Sequence, residues 1–489
     1  MVEDGRVAER VKGNFLPGGA LAGVKGMALP EKSKLPNFLF APRGQRVYGA
    51  LMQWTSPEER RKMGQTRRKQ LGRQQHNQLQ PKTRPASALE LLERSTRGRV
   101  PSLIKLKYDL MAQSPFAYFR GAAPVMAADL AVVPSTGIMS QLCGDAHVRN
   151  LGAYAAPDGR LVFDINDFDE TIRGPFEWDL KRMAASLVLA GRAAGHKESS
   201  SCCAVEACMA RYAAQMREFA RIPHLEVGRY QVHRIGSAKP VHLALMKAER
   251  ATPIHTLDQL TEPVSTDPTA PRHFRESRPM LTPVSAALSA AVLASLEPYR
   301  TMLEPQRQHL LSFYRPLDVA FKVVGTGSVG LRDYCIYLEG NGAGDPLFLQ
   351  IKEEVASAYA PYLPDAQPPH HNGQRVAEGQ RAMQLQTDPF LGWTHIGPRT
   401  FLVRQLNDHK GSIELEDLAR GGLEAYAEVC GELLARGHAR SGDPLVIAGY
   451  LGSGDGFAQA VGKFGSLYAD QTEKDWEGLC RSRKKKKKP

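Results

Sequence analysis

Two polar clusters separated by a short apolar segment constrain this chain most strongly. The first cluster lies in CGDAHVRN and comprises Asp145, His147 and Asn150. The second lies in DINDFDE and comprises Asp164, Asp167, Asp169 and Glu170. The apolar residues 161–165 predict a strand between them, which would bring both clusters to one end of a small sheet. Phosphoryl transfer uses such an arrangement, because one Asp orients or deprotonates an acceptor hydroxyl while an Asn and a second Asp hold magnesium on nucleotide phosphates.

Length and composition predict a large globular chain. At about 150 residues per domain, 489 residues suggest three domains or a two-lobed fold with extensions. Hydrophobic residues make up 42%, enough for a sizeable core. No apolar run approaches the roughly 20 residues that cross a membrane, and the mixed-charge start MVEDGRVAERVKG lacks a signal-peptide core. Seven cysteines without zinc-ligand spacing fit a reducing compartment, so we expect a cytoplasmic protein.

The net charge of +13 is concentrated in two basic segments, residues 60–73 and the tail RSRKKKKKP at 481–489. Such segments bind anionic surfaces without sequence specificity. No aromatic-rich binding motif accompanies either one, so the sequence predicts no specific nucleic-acid partner. We expect the tail to be solvated, with a non-specific anionic partner as the less favoured alternative.

Hydrophobic periodicity and composition divide the chain into five segments. These are a basic, partly disordered N-terminal arm at 1–85, a mainly helical lobe at 86–317, a β-rich nucleotide-binding lobe at 318–412, C-terminal helices packing on the helical lobe at 413–480, and the basic tail at 481–489. The Pro-, Ser- and Thr-rich residues 250–283 predict a long loop. Ser56 followed by Pro57 predicts a capped helix start.

A glycine-rich turn followed by a lysine forms the second chemical signal. Gly325, Gly327 and Gly330, in GTGSVG, connect two predicted strands, and glycine allows a close backbone approach to phosphates. Lys352, two strands later, is placed to contact the α- and β-phosphates, and Glu378 on the next predicted helix is expected to hold it. Each signal alone is weak, since such residues are more often structural, but their order is uncommon by chance.

Two further positions are candidate ligand contacts. The predicted strand 401–406 leads to an adenine-binding hinge, where main-chain groups near Gln405 and Leu406 would contact the base. Arg120, in AYFRGAA, can bind a phosphate or a carboxylate through both arms of its guanidinium. A structural arginine paired with a buried acid explains the same sequence equally well.

Residues 143–187 resemble the catalytic core of the aminoglycoside and choline phosphotransferase branch of the protein kinase-like superfamily. The matching blocks are CGDAHVRN, NDFD and GPFEWDL. The resemblance implies that Asp145 is the catalytic base and that Asn150 and Asp167 are metal ligands. It also implies that Asp179 is a structural acid bracing the loop. Asp164 competes with Asp167 for the metal role, since both lie at the predicted strand end.

Two departures from that superfamily matter. Cys143 stands where the phosphotransferases usually have a histidine that is chiefly structural. The glycine turn and Lys352 follow the catalytic loop here, whereas kinases place them before it. The resemblance therefore implies an α+β, two-lobed protein kinase-like fold that is circularly permuted and carries a helical N-terminal extension.

A rival arrangement in the usual kinase order stays open. It uses residues 319–489, with His438, Asp443 and Asp455 following Lys352. It lacks a convincing Asn ligand and a clear strand between the two aspartates, so the permuted arrangement fills more of the required roles.

Blocks along a longer stretch are similar to one bacterial family, the domain of unknown function 2252 family. SPFAYFRGAA, CGDAHVRN, FDINDFDE, GPFEWDLKR, EGQR and DPFLGW recur in order, from about residue 90 to 475. The family name carries no established reaction.

We therefore expect an ATP- and Mg²⁺- (or Mn²⁺-) dependent phosphotransferase acting on a hydroxyl of an unidentified small molecule or protein, with Asp145 and His147 as its catalytic residues. Three alternatives remain: AMP transfer on the same fold, a catalytically inactive kinase-like binding protein, and a metallohydrolase. Carboxylate-rich sites favour magnesium or manganese over zinc, which ranks the metallohydrolase last.

Overall fold

The first helix of the described residues begins at a sequence signal that is visible locally. The first helix, α1 at Pro57–Gln70, follows Ser56, whose Oγ accepts a bond from Glu59 N at 3.2 Å. Ser56 N donates in return to Glu59 Oε2 at 2.9 Å, which closes a capping box. Pro57 stands at the first helical position, where its missing N–H costs nothing. The predicted helix start is therefore confirmed.

The structure is a computed structural model that describes residues 54–232, 238–266, 270–363, 370–406, 409–419 and 421–486. Its helices after α1 are α2 Ala88–Ser95, α3 Pro101–Met111, α4 Pro115–Gly121, α5 Ala123–Ala131, α6 Glu177–Ala193, α7 Glu198–Phe219, α8 His224–Arg229, α9 Lys239–Arg250, α10 Pro253–Leu260, α11 Ala286–Ala294, α12 Leu296–Met302, α13 Pro305–Leu311, α14 Asn372–Met383, α15 Gly422–Ser441, α16 Pro444–Leu451 and α17 Asp455–Lys486. No helix in these ranges is both long and apolar enough to span a membrane.

The strands in the described ranges form four antiparallel sheets, so the fold is α+β as predicted. The strands are β1 Met139–Leu142, β2 Leu151–Ala155, β3 Leu161–Ile165, β4 Ile172–Pro175, β5 Thr261–Pro263, β6 Arg272–Phe274, β7 Leu281–Pro283, β8 Arg315–Lys322, β9 Asp333–Glu339, β10 Pro346–Glu353, β11 Gly392–Ile396, β12 Arg399–Gln405 and β13 Gly411–Ser412. The sheet orders are β11-β12-β10-β9-β8-β7, β13-β2-β3, β1-β4 and β5-β6.

The six-stranded sheet carries the glycine turn and the predicted lysine. Strands β8, β9 and β10 follow one another as an antiparallel meander, and residues 325–330 lie in the connection between β8 and β9. Lys352, near the end of β10, pairs with Asp333 at the start of β9. The lysine therefore lies at the same end of the sheet as the glycine turn, and the predicted hairpin is confirmed.

The three-stranded sheet carries the two polar clusters. Strands β2 and β3 form a hairpin in which Leu151 pairs with Ile165. Asn150 and Asn166 lie immediately outside this pair, where Asn166 N donates to Asn150 O at 3.0 Å. The hairpin thus brings both clusters to one end of the sheet, as the sequence predicts. Strand β13, which follows the large sheet in the chain, pairs with β2 as the third strand.

The main hydrophobic core surrounds helix α6, which is buried along nearly its whole length. Helices α7, α15 and α17 pack on it. A second core covers one face of the six-stranded sheet, where Val292, Tyr299 and Leu311 from helices α11–α13 pack on Ile336 and Leu349. The carboxylate loops extend from the first core and the glycine turn from the sheet, which sets up the site between them.

Some segment predictions need correction. Residues 250–283 are not a long loop, because α10 and strands β5 to β7 bury Leu257, Phe274 and Leu281 against the large sheet. Helix α17 continues past residue 480 to Lys486, so the basic tail begins as helix. Helix α1 packs on α16 closely enough that a Cβ on Gly64 would lie 2.0 Å from Val446 O. Residues 1–53 of the predicted arm and 487–489 of the tail lie outside the described residues.

Candidate active site

One pocket of about 730 Å³ joins the carboxylate clusters to the glycine turn. The predicted site residues that line it are Asp145, His147, Asn150, Asp167, Gly325 and Gly327. Lys352 does not line this pocket but a small cavity beside the glycine turn, and its ammonium group contacts Asp169, which does line the pocket. The cationic lining residues come from the N-terminal helical segment and are Arg99, Lys107 and Arg120. Both chemical signals of the sequence therefore meet at one cleft.

Asp145 is held by a buried arginine that the sequence did not indicate. Arg182, on α6, donates from Nε to Asp145 Oδ1 at 2.5 Å. The same guanidinium donates to Phe119 O at 3.2 Å and lies 4.3 Å from the centre of the Phe119 ring. Burial raises the pKa of Asp145, although the charge of Arg182 opposes that shift. The carboxylate is thus fixed through one oxygen, and the second oxygen has no such partner.

His147 is neutral and oriented. Burial, followed by the charge of Arg120, lowers the pKa of His147 well below its usual value. Arg149 N donates to His147 Nδ1 at 3.2 Å, which assigns the ring proton to Nε2. Nε2 lies 3.6 Å from Asp145 Oδ2, beyond ordinary hydrogen-bond length. The imidazole can therefore act as a hydrogen-bond donor beside the carboxylate without adding a charge.

Asn150 and Asp167 present the oxygen atoms that magnesium prefers. Asn150 Nδ2 donates to Asp145 O at 2.9 Å, which leaves Oδ1 as the free end of the amide. Asp167 Oδ1 accepts a bond from Asp169 N at 3.3 Å, and no described lysine or arginine forms an ion pair with it. Desolvation, followed by the charge of Asp169, raises the pKa of Asp167. A divalent cation would offset both effects.

Lys352 is paired with Asp169 and not with Glu378. Its Nζ donates to both carboxylate oxygens of Asp169, to Oδ1 at 2.5 Å. Although burial, the largest single effect, acts in the opposite direction, the charges of Asp169 and Asp167 raise the pKa of Lys352. Glu378 lies on the exposed face of α14, where it accepts a bond from Gln374 Nε2 at 2.7 Å. The predicted Lys352–Glu378 pair is therefore wrong, because α14 turns its apolar residues toward the protein and this glutamate away from it.

Asp164 does not belong to the pocket, and its predicted metal role is wrong. It forms a buried ion pair with Arg436 on α15, and its Oδ1 also accepts a bond from Ile165 N at 2.8 Å. Successive side chains of a strand point to opposite faces, so Asp164 inside β3 points to the helix. Asp167 follows the end of the strand, where the chain turns into the pocket.

The loop that carries Asp145 is braced by Asp179. Its Oδ2 accepts a bond from Cys143 N at 2.8 Å, and its Oδ1 accepts one from Gly144 N at 3.0 Å. Gly144 has a φ of +81°, and a Cβ there would lie 2.1 Å from Glu170 O, so only glycine lets this loop pack against the second cluster. The bracing role that the resemblance implies for Asp179 is confirmed.

The rival arrangement is not assembled. His438 is buried, with Nδ1 2.9 Å from Tyr212 OH and Nε2 3.3 Å from Asp179 Oδ2. Asp443 caps α16, and Asp455 is the first residue of α17. None of the three candidates lines the pocket between the described carboxylates and the glycine turn.

The glycine turn is held by cations of the N-terminal segment. Lys107, on α3, donates to Thr326 O at 3.2 Å and to Gly327 O at 2.8 Å. Arg99, just before α3, donates to Val329 O at 2.7 Å. Burial, followed by the charge of Arg99, lowers the pKa of Lys107 well below its usual value. Neither residue was predicted, since each resembles an ordinary charge in a helical segment and its partners lie more than two hundred residues away.

The three predicted glycines hold different positions in the turn. Gly325 and Gly330 have φ of +63° and +92°, in the region that glycine adopts without strain. Gly325 and Gly327 line the pocket, whereas Gly330 lies outside it and accepts a bond from Val100 N at 2.7 Å. Gly330 therefore anchors the turn.

Helix α14 contacts the second cluster through Arg375, another residue that the sequence did not indicate. Its guanidinium donates to Thr171 O at 2.5 Å, to Asp169 O at 2.8 Å and to Val355 O at 2.8 Å. Glu354, which also lines the pocket, is buried, and burial followed by the charge of Asp169 raises its pKa well above the usual value. Arg375 therefore connects the segment after β10, through Val355 O, to the second carboxylate cluster, which contains Asp169, the partner of Lys352.

A second cavity, of about 620 Å³, lies beside the end of β12. Gln405 and Leu406, the predicted hinge positions, line it together with Gln350. Asn166 lines this cavity and the adjoining Asp167 lines the first pocket, so the two spaces are neighbours.

Across the described ranges, no three or more His, Cys, Asp or Glu side chains converge to hold a metal by themselves. Magnesium commonly uses one or two protein carboxylates while substrate phosphates and waters complete its shell. Asn150 and Asp167 fit that pattern. The described residues therefore contain no cluster of the kind that holds the metal of a metallohydrolase through protein side chains alone.

Residues 99–482 match the family described as "Uncharacterized protein conserved in bacteria (DUF2252)". The match spans well over half of the chain and contains the pocket residues discussed above. No curated protein and no solved structure matches the chain.

Proposed function

The chain belongs to the DUF2252 family, as its sequence blocks predict, and we propose that it transfers the terminal phosphoryl group of ATP, with Mg²⁺ or Mn²⁺, to an acceptor hydroxyl. One observation carries the proposal: Asp145, Asn150 and Asp167 line the same pocket as the glycine turn. Phosphoryl transfer requires these parts together, namely a base, oxygen ligands for the metal and a turn over the phosphates. The same arrangement supports a two-lobed, kinase-like fold in which the catalytic loop precedes the glycine turn.

Asp145 is the proposed base. One of its oxygens is held by Arg182, while Oδ2 is 3.6 Å from His147 Nε2 and is free to accept the proton of an acceptor hydroxyl. The raised pKa of Asp145 brings the carboxyl closer to the working pH, which makes it a better proton acceptor. Arg182 keeps the carboxylate in one orientation.

Asn150 and Asp167 are the proposed metal ligands. Asp167 lies in the pocket beside Asp169, and desolvation followed by that neighbouring charge raises the pKa of its carboxyl, so a divalent cation would stabilise its charged form. When bound, Mg²⁺ would be held by Asn150 and Asp167 and would neutralise the charge that develops during transfer. Asn150 Oδ1 supplies the second oxygen.

Lys352 and the second cavity complete the proposed nucleotide site. An ammonium group has three N–H donors, and Asp169 engages two of them, so one remains for a phosphate oxygen. The base would occupy the cavity beside Gln405 and Leu406. Gln350 and Lys352 are two residues apart on β10, so their side chains share one face of the sheet, about 7 Å apart along the strand.

Incubation of the purified chain with ATP labelled at either the γ- or the α-phosphate, with Mg²⁺ or Mn²⁺, tests the proposal. We expect γ-label to be released or transferred, and both Asp145→Asn and Asp167→Asn to reduce the rate by about 100-fold or more. Glu378→Ala is the matched control, because this glutamate is exposed, does not line the pocket and bonds to Gln374 on its own helix.

Three results would contradict the proposal. Transfer of the α-label with AMP would favour nucleotidyl transfer. Nucleotide binding without any release or transfer of label would favour the inactive binding protein. Full activity of Asp145→Asn would show that the base lies elsewhere.

A further inference from the structure

Arg120 differs from the other cations of the pocket because the described residues leave its guanidinium unused. Its Nε is buried without a hydrogen-bond partner, and no described acid lies in ion-pair contact with it. By contrast, Arg99 donates to Val329 O and Lys107 donates to the carbonyls of the turn. A guanidinium nitrogen that is buried without a partner is unfavourable, and Arg120 as a whole is half-buried in the pocket, so its surroundings favour an anion.

The position of Arg120 relative to the proposed base is fixed. It stands at the end of α4, directly after Phe119, whose carbonyl accepts a bond from Arg182. Arg182 in turn donates to Asp145. On its other side, the carbonyl of Arg120 would lie 3.4 Å from a Cβ placed on Gly327. Arg120 therefore stands between the carboxylate loop and the glycine turn.

We propose that Arg120, beside the glycine turn, forms an oxyanion subsite that binds a phosphate or carboxylate group of the ligand. The inference rests on the proposed function, because it names what enters the same pocket. A planar guanidinium binds such groups through two parallel N–H bonds, and no described acid competes for it. Two sources supply this chemistry: the terminal phosphate of the nucleotide, or an anionic group on the acceptor.

Charge around Arg120 agrees with such a subsite. Desolvation, followed by the charge of Arg149, lowers the pKa of Arg120, while Asp145, Asp167 and Glu414 act in the opposite direction from a distance. Arg149 itself is satisfied, since its guanidinium forms an ion pair with Glu414 at 2.7 Å. A ligand oxyanion would therefore meet one unpaired guanidinium beside the proposed base and metal site.

Titration calorimetry with inorganic pyrophosphate, without nucleotide, tests the subsite directly. We expect Arg120→Gln to weaken pyrophosphate binding by at least 10-fold, and Arg120→Lys to recover part of the loss. Arg149→Gln is the matched control, since it removes a neighbouring positive charge that is already paired, and we expect a change of less than 3-fold. Thermal melting of each variant verifies folding, which Arg120→Gln should not disturb because no hydrogen bond or ion pair among the described residues is lost.

The two sources are separated with a β,γ-imido analogue of ATP and with ADP, each with Mg²⁺. Loss of analogue affinity with unchanged ADP affinity assigns the subsite to the terminal phosphate. If Arg120→Gln loses pyrophosphate binding but keeps its affinity for both the analogue and ADP, the subsite belongs to an anionic group of the acceptor. Pyrophosphate binding that is absent in the wild type or unaffected by Arg120→Gln overturns the inference. Since no turnover is measured, Arg120-dependent anion binding in a protein that transfers no label would overturn the proposed function alone.

Discussion

The two sides of the pocket are built in different ways. On the loop side, the backbone and the Asp145 carboxylate are held directly by three side chains of the buried helix α6: Asp179, Arg182 and Ser186. On the turn side, the glycine turn is held by carbonyl bonds from two distant cations, Lys107 and Arg99. The loop side is thus held by a helix of the main hydrophobic core, whereas the turn side is held by a few hydrogen bonds and by a small separate cluster of Leu103, Val323 and Val329.

The largest expected effect is on the loop side. Asp179→Ala should lower the free energy of unfolding by about 2–6 kcal/mol, because two buried amides lose their acceptor at about 1–3 kcal/mol each. Urea denaturation monitored by fluorescence measures the change, and Asp179→Asn, which keeps one acceptor, should fall between the two proteins. A loss below about 1 kcal/mol would show that α6 does not hold the loop.

Acid should also weaken the loop side. The pKa of His147 is depressed by burial and then by Arg120, so below about pH 6.5 the unfolded chain binds a proton that the folded chain excludes. This contribution to stability is fully present above pH 6.5 and is lost, at up to about 1.4 kcal/mol per pH unit, as the pH falls. Between pH 7.5 and 4.5, the melting temperature of His147→Gln should fall less steeply with decreasing pH than that of the wild type. Equal slopes would mean that the imidazole is protonated in the folded protein.

The turn side should respond locally. Lys107→Met keeps the volume of a buried side chain but removes two hydrogen bonds to the glycine turn. The closed position of the turn should lose about 1–2 kcal/mol of stability. Hydrogen exchange should accelerate in residues 325–331 and stay unchanged in residues 143–150. Equal acceleration in both segments would contradict the separation of the two sides.

The smallest expected effect is that of Glu378→Ala. The glutamate is exposed and bonds only to its neighbour on α14 among the described residues, so the free energy of unfolding should change by less than about 0.5 kcal/mol. ATP turnover should match the wild type. A strong loss of turnover would restore the predicted pairing of this glutamate with Lys352 in a nucleotide-bound state.

Features set by neighbouring residues were predictable from the sequence. The Ser56 cap, the hairpin that joins the two polar clusters and the glycine turn each depend on a short segment. The family followed from blocks that recur in order. The bracing of the loop by Asp179 was available only through the resemblance to known phosphotransferases.

Features set by distant contacts were not predictable in the same way. Asp164 lies in a strand next to residues that line the site, but its partner Arg436 is 272 residues away, and only packing reveals it. Glu378 lies on the face of α14 that points away from the protein, so it does not contact Lys352. The sequence alone did not show which face of this helix is buried. Lys107 carries no local signal because its acceptors are backbone carbonyls of another segment.

Strand β13 has a consequence for how a ligand reaches the pocket. Gly411 and Ser412 pair with β2 shortly after the chain leaves the large sheet, and a Cβ on Gly411 would lie 1.9 Å from Ala244 O of helix α9. If the six-stranded sheet moved far from the three-stranded sheet, the pairing of β13 with β2 would break. On the proposed function, we therefore expect the ligand to enter through movement of residues 325–330 and not through separation of the two sheets.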